Sequence, residues 1–327
     1  MSIRTVLSAA RHAALAALLP AVGCVTVELP GGVPQPLVET VVHGELGAKI
    51  LLVQIDGVIS EKPEGASFFT AGESRVARLR EELDRARDDA GIRALLVRIN
   101  SPGGTVTASD IVYREILRFK EETDVPVVAH LMGIAASGGY YAAMAADHVV
   151  AQPTAVTGSI GVIFGSVNLA GLMEKVGVEN QSLVSGPYKD AGSILRRMTP
   201  DERAQLQSVL DDMYQRFLSV VQQGRPELPA EAIGRLADGR IYSASQALEH
   251  GLVDELGDLT DAVAVAEDAA GLDSSRVITY HRPREYRKNL YSVESAADGF
   301  ALGWRPEWRS LLPSSAFLYL WMPGSPQ

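Results

Sequence analysis

A serine framed by small residues raises the first question of chemistry. In GIAASGGYYAAMAAD (133–147), Ser137 stands between two alanines and two glycines. A serine hydroxyl becomes a good nucleophile only when a neighbouring base takes its proton. Acyl transfer also needs backbone N–H groups aimed at the developing oxyanion. Gly138, next to the serine, is one candidate donor. Gly104, in the turn Ser101-Pro102-Gly103-Gly104, is the other, with Gly103 beside it. Glycine permits the close backbone approach such a site requires. Taken alone, the same residues read as a helix cap and two ordinary tight turns. The G-x-S-x-G elbow of the α/β-hydrolases is absent, because the segment reads Ala135-Ala136-Ser137-Gly138-Gly139. His130 and His148 flank the serine and could pair with it, but a structural role is the simpler reading. No His, Asp or Glu grouping has metal-ligand spacing, and no cofactor is implied.

Regular structure is expected from Lys49. KILLVQIDGVI is an apolar run ended by Asp-Gly, a buried strand. A helix follows, with Val76, Leu79, Leu83 and Ala86 at helical spacing. IRALLVRIN (92–100), VPVVAHL (125–131) and HVVAQ (148–152) are further strands, and helical segments alternate with them. That alternation implies a parallel sheet with crossover helices. Both Gly-Gly turns follow strands, so they can share the carboxyl rim where such sheets gather their chemistry. TPDERAQLQSVLDDMYQRFLSVVQQ carries a capping box, Thr199 with Glu202, and Pro200 at the first helical position. Its apolar stripe fits either the core or a subunit contact. Two shorter helices lie within 239–271. The pattern weakens after Tyr280, and SAFLYLWMPG (315–324) is apolar but too short to span a bilayer.

Five segments in order, NSPGGTV (100–106), GIAASGGYYAAMAAD (133–147), TGSIGVI (157–163), GPYKDAGS (186–193) and GRIYSASQALEHGLVDELG (239–257), resemble the signal peptide peptidase A family of serine proteases in its short, single-domain form. The resemblance implies a Clp protease/crotonase-like α/β superhelix with one catalytic domain. It implies a serine–lysine dyad of Ser137 and Lys189, and weakly suggests that Ser159 orients the lysine. The residues lend Lys189 some separate support. Between Ser137 and Lys288 the lysines are Lys175 and Lys189; Lys175 sits beside Glu174 as a solvated helix residue, whereas Lys189 lies in a loop bounded by Gly and Pro. An exposed lysine, with a pKa of about 10.4, is protonated near neutrality. A lysine base must therefore be desolvated and denied a carboxylate partner, so Asp190 must point elsewhere. The family's short form shares its sites between neighbouring protomers, which implies a homo-oligomer in which one chain alone keeps Ser137 and Lys189 apart.

The 327 residues, 46% apolar and 21% charged, suit a globular protein, and a net charge of -10 argues against nucleic acid as a partner. The N-terminus carries Arg4 and Arg11, then an apolar stretch at 13–22 ending in Gly23-Cys24. This resembles a bacterial lipoprotein signal with Cys24 as the lipidation site. The expected layout is a signal at 1–24, a tether at 25–47, the peptidase domain at 48–285 and a tail at 286–327. The expected function is membrane-associated endopeptidase action, outside the cytoplasm, on remnant signal peptides or other unfolded apolar peptides. The rival readings are an inactive peptide-binding scaffold and a crotonase-like enzyme acting on acyl-coenzyme A.

Overall fold

The computed structural model describes residues 35–62, 73–283, 285–292 and 317–321. Chain entry is an edge strand, β1 (Val38–His43), followed by β2 (Ala48–Asp56), α1 (Arg75–Arg87) and β3 (Ile92–Ser101). A short strand β4 (Gly103–Thr105) leads into α2 (Val106–Thr123), then β5 (Val127–Ala136), α3 (Gly138–Ala143), β6 (His148–Ala151) and β7 (Val156–Gly158). Next come β8 (Ile163–Phe164), α4 (Ala170–Val176), α5 (Pro200–Gly224), α6 (Ala230–Leu236), β9 (Ile241–Ser243), α7 (Ala244–Glu249), β10 (Glu255–Leu256), α8 (Leu259–Ala270), β11 (Ser275–His281) and β12 (Phe317–Leu320).

The main sheet runs β1-β11-β2-β3-β5-β6-β10 and is parallel from β11 to β10. Its strands are apolar on both faces, as a covered parallel sheet requires. On β2, Leu51, Val53 and Ile55 join the larger core under α1, α2 and α3, while Ile50 and Leu52 face the smaller core under α8. The alternation continues on β3 and β5, so side chains one residue apart belong to different layers. The α5 capping box forms as its sequence predicts. The α5 stripe divides: Phe217 and Val220 are buried, while Leu206 and Leu210 are half-buried.

Two boundaries differ from the sequence reading. β1 lies inside the stretch read as a tether and pairs antiparallel with β11. Val38 and Val41 of β1 are exposed, so the strand has only a weak apolar signature. β12 lies inside the stretch read as a tail. It forms the middle of a second, three-stranded sheet, between β4 and β8. Cys24 and the rest of the signal segment fall outside the described residues. Among the described residues no helix is long and apolar enough to cross a membrane.

Candidate active site

Ser137 sits where β5 ends and α3 begins, on the carboxyl rim. Its φ is +53° and its ψ −116°. Positive φ is costly for a residue with a Cβ, of order 1–3 kcal/mol, and survives only where the surroundings enforce it. Here both peptide neighbours do. The Ser137 N–H donates to Gly158 O at 2.8 Å, and Tyr141 N–H donates to Ser137 O at 2.8 Å. The residue is 1% exposed, yet its hydroxyl is not used as a helix cap. The structure thus departs from the plain cap that the residue type alone suggests. Ser159, also at positive φ (+50°), donates its N–H to Arg240 O and adjoins the Gly158 carbonyl that fixes Ser137.

The glycine turns converge on this point. A Cβ added to Gly103 would lie 2.7 Å from Gly138 N, and one on Gly138 would lie 3.1 Å from Gly103 Cα. Gly138 begins α3, so its N–H falls outside the helix ladder. The two candidates on β4 have different duties. Gly103 N–H donates to Ser101 Oγ at 3.0 Å, so it is already engaged. Ile59 N–H donates to Gly103 O, and Thr105 N–H donates to Ile59 O. By alternation, the N–H and C=O of Gly104 face the opposite way, toward β12. Gly104 and Gly138 are therefore the two N–H groups free to point at one acceptor, and Gly103 contributes space.

Sequence reasoning missed what surrounds these glycines. Ser109 Oγ would stand 2.3 Å from a Gly138 Cβ, so the serine fills the room that glycine leaves. Tyr141 donates its hydroxyl to Asp110 Oδ1 at 2.6 Å, and Arg216 and Arg114 donate to the same carboxylate. Burial would raise the Asp110 pKa, but these three donors outweigh it and hold it below the usual range. Burial and the Asp110 partner push the Tyr141 hydroxyl up, so it stays a donor. These partners are scattered over α2, α3 and α5, and no local spacing advertises them.

The histidines are not part of this site. His130 points to the opposite face of the sheet, where Nε2 meets Gly257 O at 3.3 Å. Burial pushes its pKa down to about 4 against the opposing carbonyl contact. His148 lies 3.9 Å from Glu255. His130→Gln should leave hydrolysis within about twofold of the parent, as a buried group remote from the reacting atoms would. A large loss in a steady-state assay, with the melting temperature unchanged, would reinstate it as a base.

Lys189 is exposed, on a segment of loops and turns between α4 and α5, and no hydrogen bond joins it to Ser137. Asp190, its neighbour, is drawn away. Arg196 donates to it through Nε at 2.8 Å and through the adjacent guanidinium nitrogen at 2.6 Å, and also pairs with Glu202. The Arg196 bonds hold the Asp190 carboxyl below its ordinary value. A cleft of about 220 Å³ lies beside β8, lined by Phe164, Met198 and Leu206 among others. The groove over Ser137 itself is filled by β12.

The profile of Peptidase family S49 matches residues 120–273, and that of Clp protease matches 77–157. A Synechocystis sp. chain, provisionally named a protease, is 42% identical over 70% of this chain and 84% of its own length. An Enterococcus faecium chain, provisionally named signal peptide peptidase SppA, is 32% identical over 84% of this chain and 76% of its own. The chain belongs to peptidase family S49. A chloroplastic serine protease SPPA of Arabidopsis thaliana is 34% identical over 71% of this chain but only 34% of its own length. This S49 chain is thus a serine peptidase with a Clp protease-like domain. The crotonase-like and non-catalytic alternatives find no support in these relatives.

Proposed function

We propose that this S49 peptidase hydrolyses peptide bonds through an acyl-enzyme on Ser137, with Lys189 of a neighbouring copy as the base. The observation that carries the reading is the strained, buried Ser137, its hydroxyl unspent, beside two N–H groups that converge on one point. Ser137 attacks the carbonyl, and Gly104 and Gly138 hold the oxyanion. The lysine takes the serine proton and returns it to the leaving amine. Ser159, next to the carbonyl that fixes Ser137, orients the lysine amine.

A shared site explains why Lys189 is exposed in one chain. Its segment carries large apolar side chains turned outward: Leu172, Val176, Leu183, Val184 and Tyr188 are all exposed, Leu183 completely. A surface of that kind marks an interaction site. A second copy packed there would cover the apolar residues and desolvate the amine together. A membrane tether through a lipidated Cys24 would place such an assembly in the bacterial envelope. Remnant signal peptides and other unfolded apolar chains would then be the substrates within reach. Assay of a fluorogenic unfolded peptide with wild type, Ser137→Ala and Lys189→Ala tests the dyad. Full activity in either variant refutes it, and mass spectrometry of Cys24 tests the anchor.

Arg196 is expected to keep Asp190 from neutralising the base. In Arg196→Met the freed carboxylate can pair with Lys189 and raise the pH needed to deprotonate it. The pH–rate profile should then move to higher pH by about one unit, with kcat at neutral pH down roughly tenfold. A lower rate with an unmoved profile would mean that Arg196 only holds the loop together.

A further inference from the structure

The strand Phe317–Leu320 lies over the site as a substrate would. It runs antiparallel to β4 on one side, with Tyr319 opposite Gly104, and antiparallel to β8 on the other, with Phe317 opposite Phe164. Trp321 N–H donates to Pro102 O at 2.8 Å, which sets the hydrogen-bonding phase of the β4 ladder. Two residues along, Gly104 and Tyr319 are then the next hydrogen-bonded pair, so Tyr319 O receives the Gly104 N–H. The same oxygen lies 2.0 Å from the Cβ that Gly103 lacks and 3.1 Å from the one Gly138 lacks. One carbonyl of the chain therefore occupies the spot on which the turns at 103–104 and 138 converge, next to Ser137.

The side chains fall into place around it. Tyr319 is fully buried among aromatic rings, stacked on Tyr141 with centroids 5.2 Å apart and tilted against Phe217 at 4.7 Å. Its hydroxyl donates to Met213 O at 2.7 Å. Leu318 and Leu320, on the other face, pack with Val58. Phe317 meets the Phe164 ring at 5.0 Å. The strand joins no part of the main sheet; its neighbours are β4 and β8 alone.

We propose that Phe317–Leu320 is a tethered substrate: the enzyme cuts its own Tyr319–Leu320 bond, and the pocket around Tyr319 selects an aromatic residue before the cut in other peptides too. This rests on Ser137 as the nucleophile. Ser137 Oγ bonds to the Tyr319 carbonyl carbon, the carbon–nitrogen bond to Leu320 breaks, and the serine proton passes through the base to the Leu320 amine. Water then releases Tyr319 as a carboxylate and restores the serine. With no base hydrogen-bonded to Ser137 within one chain, the bond stays whole until copies assemble. Until then the strand also blocks other substrates.

The test uses the full chain, wild type beside Ser137→Ala, incubated at a concentration that allows assembly and analysed by mass spectrometry. Wild type should accumulate chains ending at Tyr319 and a fragment beginning at Leu320, and Ser137→Ala should yield neither. A synthetic peptide copying 315–323 should be cut at the same bond. Replacing its tyrosine with aspartate should lower kcat/KM by about tenfold or more, as loss of an apolar pocket contact does. That arm needs no variant enzyme, so folding cannot obscure it. If wild type hydrolyses an added unfolded protein through Ser137 but leaves Tyr319–Leu320 whole, or cuts the aspartate peptide equally fast, this inference falls alone. If wild type hydrolyses nothing, the nucleophile reading falls and takes this one with it.

Discussion

Ser137→Ala and Lys189→Ala should each lose at least about a thousandfold in kcat, and mixing the two inactive proteins should restore hydrolysis. In a shared site the serine comes from one copy and the lysine from the next. Where a Lys189→Ala copy supplies the serine and a Ser137→Ala copy supplies the lysine, an intact pair forms. With equal, random mixing about one site in four is whole, because each member of the pair is intact half the time. Dissociation and reassembly of the mixture should therefore recover about a quarter of the wild-type rate. If both groups acted within one chain, no mixture could recover anything. A null result, with size-exclusion chromatography showing mixed assemblies, would refute the shared site. The effect is large because the two outcomes are a quarter and zero. It separates two arrangements that leave the same mutants dead.

The main sheet was legible because buried parallel strands write long apolar runs, and IRALLVRIN could hardly be anything else. The serine turn was legible as chemistry because Ser137, Gly138 and the 103–104 glycines follow strands that end on one rim. Four things were hidden, each for a physical reason. β1 is an edge strand with outward valines, so it lacks the two-faced apolar signature of its neighbours. β12 is four residues long and far in sequence from both partners, and pairing across such a gap leaves no local period. The aromatic pocket draws Tyr141, Phe217 and Tyr319 from three distant elements. Each looks like ordinary core when read singly. The different duties of Gly103 and Gly104 come from the alternating direction of their peptide groups along β4, and a pair of identical letters cannot record that.

Gly103→Ala should abolish hydrolysis while leaving the fold standing. The methyl would lie 2.0 Å from the carbonyl oxygen now held at the site and 2.7 Å from Gly138 N. It would therefore fill the space in which a scissile carbonyl must sit. Losing one oxyanion donor costs about a hundred- to a thousandfold in such sites. Blocking the acceptor's position denies both donors at once, so kcat/KM should fall by at least about a thousandfold. The cost to stability is smaller: alanine at φ +99° adds of order 1–3 kcal/mol of strain, and the occupant it displaces is a peripheral strand. Gly104→Ala is the contrasting case. Its methyl would meet Ile59 O at 1.8 Å and two more Ile59 backbone atoms within 2.7 Å, on the side away from the substrate. That clash is backbone on backbone, so β4 must move bodily, and the melting temperature should fall further than in Gly103→Ala. Kinetics and thermal unfolding of the two variants, side by side, separate an obstructed groove from a displaced strand. Near-normal turnover in Gly103→Ala would mean that peptides reach Ser137 by another path, and the oxyanion geometry drawn from β4 would have to be abandoned.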